Sequence, residues 1–295
     1  MPATAGPVPA PITHYENFPV ASWLCPPQLR APIAAIYHFA RTADDLADEG
    51  QASPEQRLSD LAAYRLALVQ ACQASNRSPW PEAQGWPEVF GPLQRAITDF
   101  DLPAACLHAL LDAFEHDVRM TRDSQDYPDM AALLAYCANS ANPVGRLLLH
   151  LYGVQDTLSL ERSDAICTAL QLINFWQDPS RDLVNGRNYF PLDGCARTGF
   201  TPRALMRQAT ALEPMLHSAD AMVRRCASDA RARMAQGQAL VHRLPGRAGW
   251  ELRLVVQGGL RVLDKIEAMG AAVLHTRPRL HWWDAPLVAW RALLM

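Results

Sequence analysis

The sequence predicts an all-α chain, and three observations carry that prediction. Apolar residues recur at three- and four-residue intervals, Pro and Gly punctuate these runs where helices end, and no alternating β-branched run is flanked by hairpin turns. At 295 residues the chain can bury a large core, and 49% hydrophobic with 19% charged residues describes a globular protein. No fixed-period repeat or linker divides it. Residues 14–295 are therefore read as one domain, preceded by a Pro/Ala-rich segment, 1–13, with the composition of a disordered tail.

Order is expected to begin at His14-Tyr15-Glu16-Asn17-Phe18, followed by a turn at Cys25-Pro26-Pro27. A helix is expected over about 31–49, with Ile33, Ile36, Tyr37, Ala40 and Leu46 along one side and Gly50 ending it. Ser53-Pro54-Glu55-Gln56 supplies an N-cap and a first-turn proline, so a second helix runs to about 74. The Pro- and Trp-containing stretch 76–87 reads as a loop, with helices following at about 87–100 and 103–121. Tyr127-Pro128-Asp129 opens a helix bearing Tyr136 and Cys137, which Pro143 and Gly145 interrupt, because a proline within a helical pattern removes a hydrogen bond and kinks the chain. Further helices are expected at about 161–184, after Thr201-Pro202, over 211–243 and over 247–269. The segment from Trp282-Trp283 to Met295 is short, aromatic and amphipathic. It is read as a docked terminal helix, with contact to a lipid surface as the alternative.

A formal net charge of -3 gives no electrostatic case for nucleic acid as a partner. Lys265 is the only lysine, for which the sequence suggests no role. The cysteines show neither a C-x-x-C pair nor metal-ligand spacing, which fits reduced thiols in a cytoplasmic compartment. The N-terminus lacks a basic region followed by an apolar run, and no apolar run approaches the length of a membrane span. The expected location is the cytoplasm, with peripheral contact at the inner face of the membrane.

The stretch QLINFWQDPSRDLVNGRNYFP, Gln171 to Pro191, places Asn174, Asp178 and Asp182 four residues apart, one above another on a helix face. Alone, such a row is most often a solvated acidic surface. A second row occurs in the first helix, where Asp44 and Asp48 stand four apart, as do Asp45 and Glu49, with Arg41 one turn ahead of Asp45. Two rows of hard oxygen ligands facing each other could hold two or three Mg²⁺ ions, and the ions could grip a diphosphate. Neutralising its charge makes diphosphate a better leaving group, and a dry apolar cavity would protect the carbocation left behind.

The segments YHFARTADDLADEG and QLINFWQDPSRDLVNGRNYFP resemble the two aspartate-rich motifs of the squalene/phytoene synthase family. The helix of Tyr136-Cys137 with its Pro-Gly break is similar to that family's Y-C-x-x-x-A-G-x-V-G segment, and Lys265-Ile266-Glu267 with Arg277-Pro278-Arg279-Leu280 resembles its closing I-E…R-P-x-L. The resemblance covers about residues 14 to 280. It implies an isoprenoid-synthase helical bundle around a central cavity, Mg²⁺-dependent chemistry and prenyl diphosphate substrates. Residue by residue, it implies metal ligation by Asp44, Asp48, Asp178, Asp182 and Asn174, and phosphate contacts from Arg41, Arg187 and Arg277. Tyr37 and Gln177 are expected in the same substrate-binding set, and Tyr136 near the reacting carbons.

Departures from the common pattern select a branch. Condensing enzymes of the family often read K-S-F at the entry segment and N-I-L-R-D in the second motif. Here those positions read Glu16-Asn17-Phe18 and Asn174-Phe175-Trp176-Gln177-Asp178, so two cations suited to diphosphate are replaced. The combination H-Y-E-N-F-P-V-A-S, A-R-T-A-D-D, S-A-N-P-V-G-R and N-F-W-Q-D most resembles the hydroxysqualene synthase branch. That branch implies ionisation of presqualene diphosphate and capture of the rearranged cation by water, in squalene and hopanoid biosynthesis, with NADPH not expected. Glu16 and Asn17, with Tyr136, are the residues expected to position that water. The alternatives are a synthase condensing two prenyl diphosphates to squalene, presqualene diphosphate or phytoene, and a helical interaction protein that keeps the fold. The expected partners are the diphosphate substrate, an apolar triterpene product and the preceding and following enzymes of the pathway. His38, His108, His116 and His150 carry no metal-site pairing, and Asp112 and Asp117 with Arg119 and Arg122 read equally well as a cavity rim or a solvated face.

Overall fold

A computed structural model describes residues 25–73, 80–202 and 213–295. Glu16, Asn17, the 1–13 segment and the helix expected after Thr201-Pro202 lie outside the described residues. Among those residues there is no strand, and α- and 3-10 helices joined by turns and loops make up the fold.

Helix α1, Pro27–Asp48, begins ahead of the expected residue 31 because Pro26 occupies the N-cap and Pro27 the first turn, where a missing N–H costs nothing. Gly50 follows its end at φ +76°. In α2, Pro54–Gln73, the cap is formed as the sequence suggested, with the Gln56 amide donating to Ser53 Oγ at 3.2 Å. Helices α3, Pro87–Phe100, and α4, Ala104–Arg122, come next. The expected break then separates α5, Met130–Ser140, from α6, Asn142–Leu151, with Ala141 at the junction and Pro143 in the first turn of α6. The chain continues through α7, Thr157–Gln177, α8, Pro179–Asp182, α9, Leu192–Thr198, α10, Glu213–Gly237, α11, Arg247–Met269, and α12, Ala285–Leu294.

The apolar faces of these helices build two cores. One gathers Phe39, Tyr64, Leu68, Phe90 and Leu111 from α1 to α4. Within it the Tyr64 hydroxyl, which would otherwise be stranded in apolar surroundings, donates to the Phe39 carbonyl at 3.0 Å. The other gathers Leu133, Leu172, Trp176, Met234 and Ile266 from α5, α7, α10 and α11. Helix α6 serves both, giving Leu147 and Leu151 to the first and Leu149 to the second. Helix α7 is the central post: from Ile166 to Gln177 only Gln171 and Asn174 are not buried. It approaches α6 so closely that a Cβ on Gly145 would fall 2.4 Å from Ser163 Oγ and 2.5 Å from Cys167 Sγ.

Candidate active site

The first acidic row is set by the packing of α1. Ala43 and Ala47 are buried in the core, which turns Asp44 and Asp48 along the flank of the last two turns. Arg41 reaches Asp44 at 3.2 Å and both Asp45 and Glu49 at 2.8 Å, so one guanidinium holds the neighbouring row together.

The second row departs from the expected continuous helix over 161–184. Helix α7 stops at Gln177, Asp178 takes φ -110° and ψ 20°, and Pro179 starts the short α8. The cause is Pro179, which lacks an amide and pushes the residue before it out of the α region. The spacing of the ligands survives the break. The Asp178 amide still donates to Asn174 O at 3.0 Å and the Asp182 amide to Asp178 O at 3.0 Å, so the three oxygen donors follow one another as they would on an unbroken helix.

Arginines bring the motifs together. In the loop after α8, Gly186 adopts φ +81° and the Arg187 amide donates to Asp182 O at 2.8 Å, which sends the Arg187 guanidinium across to Asp48 of α1 in an ion pair. Arg277, from the segment before α12, donates from Nη2 to Asp178 Oδ2 at 2.9 Å. The adjoining Gln177 is 7% exposed and donates from Nε2 to the Pro278 carbonyl at 2.7 Å.

Between the rows sits Asp117 of α4, whose Oδ2 accepts from the Tyr136 hydroxyl at 2.6 Å. Desolvation raises the Asp117 carboxyl to about 7; the Tyr136 hydrogen bond opposes this, and the charges of Asp44 and Asp182 add to it. One carboxyl thus feels an aspartate from each motif, which locates both rows around a common centre. Asp182 is likewise raised to about 7, by burial first and then by Asp178, against Arg181 and Arg277. An aromatic wall stands beside this centre. Phe175 and Tyr189 stack with centroids 3.9 Å apart, Tyr136 lies 6.1 Å from Phe175, and Tyr127 stacks on Tyr189 at 6.0 Å. Burial holds the Tyr136 and Tyr189 phenols well above their ordinary range, so both remain neutral donors.

No three His, Cys, Asp or Glu side chains among the described residues form a ready-made coordination cluster. The donor set nonetheless suits a hard divalent cation that brings an anionic co-ligand. Its members are carboxylates and one amide; burial, and then the charge of Asp178, raise the Asp182 carboxyl in a way that a bound cation would offset, and Asp117 beside them is raised by burial and by Asp44 and Asp182.

At the seam between the two cores lies a cavity of about 260 Å³. Ile36, Tyr37 and Ala40 of α1 face Leu170 of α7 across it, and Val255 of α11 closes another side. Tyr37 precedes Asp44 by two turns and Leu170 precedes Asn174 by one, so the apolar space begins next to the acidic rows. The structure therefore brings Asp44, Asp48, Asn174, Asp178, Asp182, Arg41, Arg187, Arg277 and Tyr37 into one region. Tyr136 is found against Asp117 and the aromatic wall, and is not among the side chains lining this cavity. Sequence reasoning undervalued Asp117 and passed over Tyr127 and Phe175. The readable signal for Asp117 was its place one turn beyond Ala113 and two beyond Leu110, on the buried stripe of α4, where a lone carboxylate needs a reason.

Comparison with known proteins identifies the family. The family model for squalene/phytoene synthase matches residues 13–284. The chain is 39% identical to a hydroxysqualene synthase of Zymomonas mobilis over 195 residues, 65% of this chain and 60% of that protein, and so spans less than two thirds of the relative's length. It is 31% identical to a hydroxysqualene synthase of Sinorhizobium fredii over 282 residues, 95% of this chain and 88% of that one. The crystal structure of a squalene synthase from Alicyclobacillus acidocaldarius superposes with a TM-score of 0.73 at 33% identity, covering 87% of this chain and 90% of the other. With two aspartate rows meeting at one centre on an all-α scaffold and a family match over nearly its whole length, the chain belongs to the squalene/phytoene synthase family.

Proposed function

We propose that the protein is a Mg²⁺-dependent hydroxysqualene synthase, converting presqualene diphosphate to hydroxysqualene by diphosphate loss, carbocation rearrangement and capture by water. The observation that carries this reading within the family is Gln177. At the position where condensing relatives often have arginine, this side chain is neutral, buried and spent on the Pro278 carbonyl. A site with one cation fewer beside Asp178 favours ionising a single diphosphate over seating two.

Asp44, Asp48, Asn174, Asp178 and Asp182 would hold two or three Mg²⁺ ions, which when bound supply charge neutralisation to the departing diphosphate. Arg41, Arg187 and Arg277 would orient the phosphate oxygens, for which their planar forks are suited. Ile36, Tyr37, Ala40 and Leu170 keep the hydrocarbon in an apolar space that excludes bulk water. The Tyr136 hydroxyl is fixed by Asp117 while its ring packs into the aromatic wall, and with Glu16 and Asn17 it is proposed to position the single water that ends the reaction. NADPH is not required for this outcome. We take residues 14–295 as one catalytic domain. It would work in the cytoplasm at the inner face of the membrane, between the enzyme that supplies presqualene diphosphate and the one that consumes the alcohol.

The test is incubation with presqualene diphosphate and Mg²⁺ without NADPH, with the product identified by mass spectrometry. Hydroxysqualene is expected, and Asp44→Asn or Asp178→Asn should abolish its formation at unchanged helical content. Turnover of farnesyl diphosphate alone, with presqualene diphosphate left untouched, would sink the reading in favour of a condensing synthase.

A further inference from the structure

Helix α12 shows solvent a face without a polar side chain. Ala292 is 1% exposed and Leu287, Val288 and Arg291 are half-buried, whereas Pro286, Ala289, Trp290, Leu293 and Leu294 point outward, Trp290 at 59% and Leu294 at 69% exposure. A surface helix ordinarily turns polar residues to water, and one that is apolar on its outer side as well is covered by something. The anchors of α12 define where this face lies. Asp284, just ahead of it, accepts from Arg261 Nε at 2.8 Å and Lys265 Nζ at 2.6 Å, while Arg253 Nη1 donates to the Ala292 carbonyl at 3.4 Å. The helix therefore runs antiparallel along α11, and ten residues at 1.5 Å each give it a length of about 15 Å. The apolar strip is extended at one end by Trp282, 82% exposed, and Trp283, and at the other by Trp250 and Leu254 of α11.

Charge identifies the cover. Between residues 277 and 295 the only side-chain carboxylate is Asp284, which is buried and ion-paired, and Glu251, next to Trp250 on α11, lines the cavity. Cations stand against the strip instead: Arg253 lies 4.7 Å over the Trp250 ring and His281 stacks on Trp283 at 4.3 Å, while Arg247 and Arg279 are exposed in the adjoining segments. Indoles at the margin, leucines between them and guanidinium groups around the edge match the layering of an anionic bilayer surface. There Trp sits at headgroup depth, aliphatic side chains reach the acyl boundary and Arg meets lipid phosphate.

We propose that α12 and its preceding tryptophan turn are an interfacial anchor that seats the protein on anionic lipid, with α11 between the bilayer and the cavity. Helix α11 lines the cavity through Leu252 and Val255 and carries Trp250 and Leu254 in the strip, so a single helix layer separates the apolar cavity from the lipid. This assignment does not depend on which reaction the site performs.

Co-sedimentation with sucrose-loaded vesicles tests it and needs no substrate. The wild-type chain is expected to pellet with vesicles of phosphatidylglycerol and phosphatidylcholine and to partition about tenfold less onto phosphatidylcholine alone. Trp290→Glu and Leu294→Glu should each lower binding to the anionic vesicles by about tenfold or more, with far-UV circular dichroism and turnover of detergent-solubilised substrate unchanged. Leu66→Glu, at an exposed leucine on α2, should bind as wild type. Wild-type protein left in the supernatant with both vesicle types overturns the proposal. So does a dimer in light scattering that Trp290→Glu dissolves without any vesicle binding, since a second copy of the chain would then be the cover.

Discussion

At Asp117 the charge balance of the site rests on a single hydrogen bond. The Tyr136 hydroxyl is the group that holds this carboxyl down, against desolvation and the charges of Asp44 and Asp182. Tyr136→Phe should push the Asp117 carboxyl above its present value of about 7, readable by carbon-detected NMR titration. It should also cost about 1 kcal/mol in urea unfolding, because a half-buried acceptor loses its donor. A stability equal to wild type, with the carboxyl unmoved, would remove this contact from the description of the site. The two motif rows were legible residue by residue, since four-residue spacing on a helix is a local property. Asp117 was not, because its meaning depends on Tyr136, 19 positions away, and on burial that only the assembled helices create.

Among the elements, α12 and the strap before it show how one buried carboxylate can hold a helix. Asp284 accepts from Lys265, Arg261 and the His281 amide, and these partners depress its carboxyl well below the usual aspartate range. A depressed carboxylate adds stability that is present above its unfolded value of about 3.9 and is lost as pH falls through the lower folded value. The docking of α12 should therefore persist through mild acid and loosen only at strongly acidic pH. Asp284→Asn should release it at neutral pH, seen as faster amide hydrogen exchange across 285–294 while α7 stays protected. Unchanged exchange would mean that apolar packing alone holds the helix. The same contacts give the lone lysine, Lys265, the role that composition could not suggest. The starts of α2, α3, α4 and α11 and the α5–α6 break were readable from Pro, Gly and cap residues, whereas α1 begins at Pro27 and α7 at Thr157, each four residues ahead of the expected start. The end of α7 was misplaced although Pro179 stood in plain view, because the apolar periodicity before it masked the break.

For the whole molecule, the arrangement of two cores around a cavity follows from α6 being shared. Leu147 and Leu151 point one way and Leu149 the other, so neither core can open without exposing part of the second. We expect one cooperative thermal transition, with near- and far-UV circular dichroism melting together. Two separated transitions would contradict the proposed single domain. The all-α class was legible from periodicity, whereas the seam and its cavity depend on how distant helices meet and left no local trace. One feature of this arrangement bears on how the protein waits for its ligand. Arg41, Arg187 and Arg277, the groups proposed for phosphate, are already engaged with Asp44, Asp48 and Asp178, the groups proposed for metal. The resting chain is its own counter-ion set, and under the proposed function binding of a metal diphosphate would be a double exchange, Arg41, Arg187 and Arg277 turning from carboxylate to phosphate while Asp44, Asp48 and Asp178 turn from arginine to metal. Such a metathesis would leave few charges bare at any stage, which suits a pocket whose neighbouring wall is hydrocarbon.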